Sequence, residues 1–189
     1  MHVAGYGPKA LAVGGRQGDG IIIQLADPDI IQWIMATARR AAEEAGRDPA
    51  ALKCIVSAPS HVTDDLQDAR DQVRWFPAMV SNHVQDLIDR YGTDGSSVPQ
   101  ALTDYVQARK FYDYNEHSRV GAKHGEFVTD EICDRFCVIG NAKECTKKLH
   151  ELEAVGVDQF NIYLMTHGQE ETLEAYGSEI IPQFAGVTP

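Results

Sequence analysis

Short β-branched segments alternate with longer amphipathic ones along this chain, and that alternation admits few folds. His2-Val3-Ala4-Gly5 reads as a strand that begins almost at the first residue. Pro8, preorganised for a first helical turn, opens a helix expected to end near Gly14-Gly15. Gly18-Asp19-Gly20 is a turn, and Gly20 to Leu25 reads as a buried strand. Asp27-Pro28 caps a helix whose apolar positions (Ile30, Ile31, Ile34, Ala38, Ala41, Ala42, Ala45) recur at helical spacing until Gly46. Leu52 to Ala58 reads as a third strand. Thr63 is expected to cap a long helical stretch to Tyr91 that Pro77 kinks or breaks. Asn141-Ala142-Lys143-Glu144 has capping-box spacing, and its helix ends at Gly156. Gln159 to Leu164 is the fourth strand, and a last helix covers about Glu170 to Phe184. Four strand–helix units predict a parallel α/β sheet with right-handed crossovers, in a single domain of 189 residues.

Before the last strand unit lies an insertion, about residues 92–136. It holds a Gly/Ser/Pro loop from Thr93 to Pro99, a stretch with Tyr105, Phe111, Tyr112 and Tyr114, and a polar run from Asn115 to Glu126. Long segments of this kind are uncommon in compact domains unless functional. Two readings stand side by side: a lid or substrate wall over the strand ends, or a structural and oligomer-packing element.

Charge narrows the partners. With 28 acidic and 17 basic side chains the net charge is -11, and no basic stripe offsets it, which argues against nucleic acid. Apolar runs such as Ile21-Ile22-Ile23 fall far short of the roughly 20 residues of a membrane span. The opening Met1-His2-Val3-Ala4-Gly5 lacks the basic and apolar regions of a secretion signal. Cys54, Cys133, Cys137 and Cys145 show no secreted disulfide spacing, so a reduced, cytoplasmic protein is expected. Cys133 and Cys137, with His117 and His124 nearby, match no standard zinc pattern; buried thiols and no metal are expected.

The chemistry-bearing motif is Gly5-Tyr6-Gly7-Pro8-Lys9-Ala10, a G-x-G-x-x-A run directly after a strand. Glycines there let backbone amides approach a phosphate, and the helix N-terminus adds partial positive charge. Asp27, near the end of the next strand, stands where the acidic residue of a dinucleotide site would meet a ribose. From the residues alone, a phosphate turn, a dinucleotide site and a plain tight turn all remain open.

The same residues carry a family resemblance. Val3-Ala4-Gly5-Tyr6-Gly7-Pro8-Lys9-Ala10-Leu11-Ala12, then Gly18-Asp19-Gly20-Ile21-Ile22, resembles the fifth strand, helix and sixth strand of luciferase-like monooxygenases and reductases. Phe136 to Glu144, followed by Leu152 to Phe160, is similar to that family's closing motif. The Tyr6-Gly7-Pro8-Lys9 form and the stretch Glu126 to Glu131 look most like the branch using the deazaflavin coenzyme F-420. The resemblance implies the C-terminal half of a (β/α)8 barrel oxidoreductase with coenzyme F-420, or FMN as second choice, and a small-molecule substrate. It places Ala4, Gly5, Tyr6 and Gly7 beside the cofactor's phosphate-bearing tail. The four strands that hold ring and substrate in the family have no counterpart here, so no catalytic residue is carried over. A homo-oligomer, or pairing with an N-terminal half, is expected to cover the open sheet edges. The rival reading is a non-catalytic cofactor-binding or structural remnant.

Barrel sites lie at the C-terminal ends of strands. The polar residues there are Gln24, Ser57, Ser60, His61, Thr166 and His167; Gln24 is singled out for the cofactor and His61 for the substrate. His117, Arg119, Lys123 and His124 form a cationic cluster that suits an anionic tail or a carboxylate substrate, against the alternative of a solvated loop. Trp33 and Trp75-Phe76 fall among apolar residues at helical spacing and read as core or interface rather than as cofactor stackers.

Overall fold

In the computed structural model, which describes residues 1–91, 115, 119–121, 123–184 and 186, the strand–helix units form one parallel sheet. β1 (His2–Ala4) pairs with β2 (Gly20–Ile23), and β2 with the long β3 (Lys53–Val62). β5 (Gln159–Tyr163) takes the other edge of β3, with Val56 matched to Ile23 on one side and Phe160 on the other. Side chains alternate along each strand. Ile21, Ile23, Cys54, Val56 and Ala58 are completely buried on the face that carries the helices, and Ile22, Ser57, Asn161 and Tyr163 point the other way. In a barrel that second face is the interior.

Helix α1 (Pro8–Gln17) runs straight through Gly14 and Gly15, where the sequence predicts a stop. The reason is packing. A Cβ on Gly14 would lie 2.5 Å from Ile21 Cδ1, and one on Gly15 would strike the Ala38 carbonyl of α2 (Pro28–Glu44). The two glycines let α1 settle against both sheet and α2, which outweighs their poor helix propensity. α2 starts as expected, with Asp27 Oδ1 accepting from the Ile30 amide at 3.0 Å.

β3 outruns its predicted end by four residues, despite Pro59. That proline falls between Val56, the last residue paired with β2, and Ser60, the first paired with a short strand β4 (Val138–Gly140), so one flank of β3 is unpaired where the proline sits. β4 is a fifth strand where the sequence predicts four. Three residues carry too little periodicity to announce a strand. It lies just beyond the end of β2, the Ala26 amide donating to the Phe136 carbonyl at 2.9 Å. The helical stretch after β3 begins at Asp65 rather than Thr63, because the Asp65 carboxylate accepts from the Gln67 and Asp68 amides. It divides into α3 (Leu66–Val73) and α4 (Trp75–Tyr91). The break falls four residues before Pro77, whose ring excludes the carbonyl at that position.

In the last part of the predicted insertion, Thr129 caps a helix α5 (Asp130–Phe136). Lys123–Gly125 form a 3-10 turn, and residues 92–114, with Tyr105, Phe111, Tyr112 and Tyr114, lie outside the described residues. Asn141 and Glu144 complete the expected capping box of α6 (Ala142–Ala154), at 3.1 and 3.0 Å. After β5 the chain forms α7 (Gln169–Ala175), widens into a π-helical turn over Tyr176–Ile180 and then tightens into a 3-10 turn over Ile181–Phe184. Trp75 and Phe76 are core residues, Trp33 packs against the core, and the four cysteines are buried free thiols. Burial pushes the Cys133 thiol up to about 12. Among the described residues no helix is long and apolar enough to cross a membrane.

Ion pairs fasten α5 to α3. Arg70 clasps Asp134 at 2.9 and 2.7 Å, and Arg74 reaches Asp130 at 2.6 Å. The Arg74 hydrogen bond lowers the Asp130 pKa. A carboxyl depressed on folding stabilises the native state above its unfolded pKa of about 3.9, and that contribution is lost as pH falls through the folded value. Asp130→Asn is therefore expected to narrow the gap in urea midpoint between pH 7 and pH 3. An unchanged gap would show that the pair contributes nothing.

Candidate functional site at the strand ends

Three strands end in polar side chains that meet on the inner face. Gln24 follows β2, Tyr163 closes β5, and Tyr6 lies two residues past β1. β2 and β5 flank β3 and so stand about 9–10 Å apart, yet Gln24 Nε2 donates to the Tyr163 hydroxyl at 3.0 Å, across β3. Tyr6 donates to Gln24 at its main-chain carbonyl (3.2 Å) and its side-chain Oε1 (3.4 Å). Burial pushes the Tyr6 phenol pKa well up, so it stays a neutral donor. Below this row, Asn161 Nδ2 donates to Ser57 Oγ at 3.2 Å and Gln159 Nε2 to Asn161 Oδ1 at 2.6 Å.

Helix α4 roofs these groups. His83 stacks on Tyr6 with centroids 5.3 Å apart, and Phe76 meets Tyr163 edge-on at 5.9 Å. Among the described residues, the helix before the insertion forms a wall over these groups.

The glycine turn sits beside Tyr6. Gly7 is the N-cap of α1 in extended conformation, no side chain caps the helix, Pro8 occupies its first turn, and that turn carries no acidic residue. The Lys9 and Ala10 amides are therefore left for an external acceptor. Gly5 is a packing glycine, since a Cβ there would lie 2.9 Å from the Ala10 Cβ. It brings β1 close against the start of the helix. These donors, with no carboxylate among them, fit a phosphate tail.

His61 is buried on β3. Its Nε2 lies 3.3 Å from Asp68 Oδ2, and its Nδ1 has no partner among the described residues. Thr166 Oγ is likewise buried and unpartnered, whereas the neighbouring His167 amide donates to Gln72 Oε1. His61 is therefore an inner-face residue but not a member of the Tyr6–Gln24–Tyr163 row. Ser60 is committed elsewhere, donating to the Val138 carbonyl and bonded to Tyr176.

Asp27 is not free to meet a ribose: it is 1% exposed, caps α2, and takes Arg135 Nε at 2.6 Å. The dinucleotide reading loses its acidic residue. Of the cationic cluster, Arg119 and Lys123 are exposed, His117 lies outside the described residues, and nothing is described of the His124 side chain. Tyr163 is the functional candidate that sequence reasoning passed over. The available signal was its place at the C-terminal end of a barrel strand, on the same face as Asn161.

A groove of about 770 Å³ lies at the opposite end of the strands, where His2, Lys53 and Gln159 begin them. Leu149, Leu152, Phe160 and Phe184 give it an apolar lining.

The profile described as luciferase-like monooxygenase matches residues 1–159. A 5,10-methylenetetrahydromethanopterin reductase of Methanolobus tindarius is 26% identical over 183 residues, which is 96% of this chain and 53% of that protein. The structure of the coenzyme F-420 dependent tetrahydromethanopterin reductase from Methanopyrus kandleri superposes with a TM-score of 0.67 at 20% identity, covering 97% of this chain and 50% of the other. An F-420-dependent secondary alcohol dehydrogenase in complex with an F-420–acetone adduct gives 0.66 at 18% identity, over 96% and 47%. The chain spans about half the length of the curated relatives it matches, and its fold is that of half a (β/α)8 barrel.

Proposed function

The chain belongs to the luciferase-like monooxygenase family, and on that premise we propose that it is the tail-binding half of an oxidoreductase using coenzyme F-420, with FMN as second choice. The observation that carries this reading is the uncapped, acid-free start of α1 at Gly7, just after β1. The backbone amides of Lys9 and Ala10 would hold the phosphate, and Ala4, Gly5 and Tyr6 would line its approach. When bound, such a cofactor supplies hydride transfer, or, for a flavin, oxygen activation. This chain's part is to fix the tail, to present the Gln24 and Tyr163 polar groups to the ring side, and to keep water out with α4 and its aromatic rings.

The substrate is proposed to be a small molecule meeting the inner face near His61, with Arg119 and the histidines His117 and His124 as candidate contacts. Turnover is proposed to require the complementary strands of a barrel. β1 and β5 each pair on one edge only among the described residues, and the apolar groove opens beside β5. Relatives about twice as long have the chain to cover both. A second copy of this chain is the other occupant those edges admit.

Gly7→Asp tests the tail site by placing bulk and negative charge where the phosphate approaches. Titration of the purified chain with FMN and coenzyme F-420 is expected to show binding for wild type and none for the variant. Equal affinities would make the turn purely structural.

A further inference from the structure

Building on that cofactor reading, we infer that Tyr163 donates its phenolic proton to an acceptor atom, a ring carbonyl oxygen or imine-type nitrogen, of the planar heterocycle bound at the strand ends. Gln24 is the residue that positions this donor. A tyrosine hydroxyl has one donor and two acceptor positions. The Tyr163 oxygen spends an acceptor position on Gln24 Nε2, at 3.0 Å. Gln24 Oε1 faces Tyr6, whose own proton points at Gln24. The row therefore runs in one direction, from Tyr6 through Gln24 to Tyr163, and the Tyr163 proton at its end has no acceptor among the described residues.

Tyr176, which is buried where Tyr163 is half-buried, shows what a structural hydroxyl looks like. Tyr176 lies 2.8 Å from Ser60 Oγ, which in turn donates to the Val138 carbonyl at 2.9 Å, so that row closes on the main chain. The row at the strand ends stays open, and its donors polarise one another toward the open end. Phe76 and the Tyr6–His83 stack flank it with aromatic surface, which suits a flat ring. An unspent donor selects an acceptor on that ring and disfavours a cationic or donor-only ligand.

The test uses Tyr163→Phe, which keeps the ring against Phe76, and Gln24→Glu, which puts an acceptor where Nε2 stood and turns the Tyr163 proton back into the protein. FMN, coenzyme F-420 and the ring-free ribitol 5-phosphate are titrated against each chain. Both variants are expected to bind FMN and F-420 about tenfold more weakly. They should hold ribitol 5-phosphate as wild type does, and the visible band of bound FMN should move back toward that of the free cofactor. Wild-type FMN affinity and band position in both variants would overturn the inference while leaving the tail site standing. Equal loss of ribitol 5-phosphate would overturn it too, by making Tyr163 structural. A wild-type chain that binds neither FMN nor F-420 removes both readings at once.

Discussion

Gly15→Ala is expected to lower stability by about 2 kcal/mol, although alanine is the better helix former. In an open helix position the exchange would gain about 1 kcal/mol. Here the new methyl would meet the Ala38 carbonyl and sit 3.1 Å from the Ala41 Cβ, and neither is the far end of a flexible side chain. α1 must then lift from α2, opening the layer that buries Ile34, Met35 and Ala38. Overpacking of this kind costs about 1–3 kcal/mol, enough to reverse the propensity gain. For a domain of this size the melting temperature should fall by roughly 4–8 °C. Gly177→Ala is the control, since a Cβ there meets nothing within 4 Å. It should leave the melting temperature unchanged or slightly raised. A Gly15→Ala chain melting at or above wild type would show that the α1–α2 approach is not limiting.

That same pair of glycines marks what was legible in the sequence. Elements announced by long periodic runs or clear caps emerged where expected, α2 behind Asp27-Pro28 and α6 behind its capping box, and the core strands β2 and β3 emerged with shifted ends. Features decided by tertiary contact did not. Gly14 and Gly15 read as a helix stop because propensity is local, whereas their role is set by Ile21 and Ala38. β4 is three residues long and exists because β2 ends early and leaves an edge of β3 to fill. At the site, the glycine turn and Gln24 were visible from motif and strand position. Tyr163 was not, because its significance lies in a hydrogen bond to a residue 139 positions away. Asp27 shows why spacing alone left the dinucleotide reading open: a carboxylate at the right spacing for a ribose is taken up by a cap and by Arg135.

The second large effect concerns turnover, and it bears on the central claim that this chain contributes tail binding to a barrel whose chemistry needs complementary strands. A reacting ring and its substrate must be held to within about 0.5 Å, and a misplacement of about 1 Å costs about 100-fold in rate. The described residues offer anchors on one side only: the α1 amides, the Tyr6–Gln24–Tyr163 row, and His61 backed by Asp68. Those anchors hold a cofactor without clamping the face from which a substrate must approach. Two copies of the same half would set like groups opposite each other and would not repair this. The measurement is single-turnover oxidation of reduced coenzyme F-420, with FMN in parallel, against a panel of carbonyl and imine acceptors. It is made with the 189-residue chain alone and then after co-expression with the N-terminal half of a methylenetetrahydromethanopterin reductase. The account predicts cofactor binding by the lone chain, turnover at least about 100-fold slower than in the complemented pair, and loss of the gain in Gly7→Asp. Turnover by the lone chain at the rate of the complemented pair would contradict it, and so would a complemented pair that binds cofactor and remains inert, which would support the non-catalytic reading.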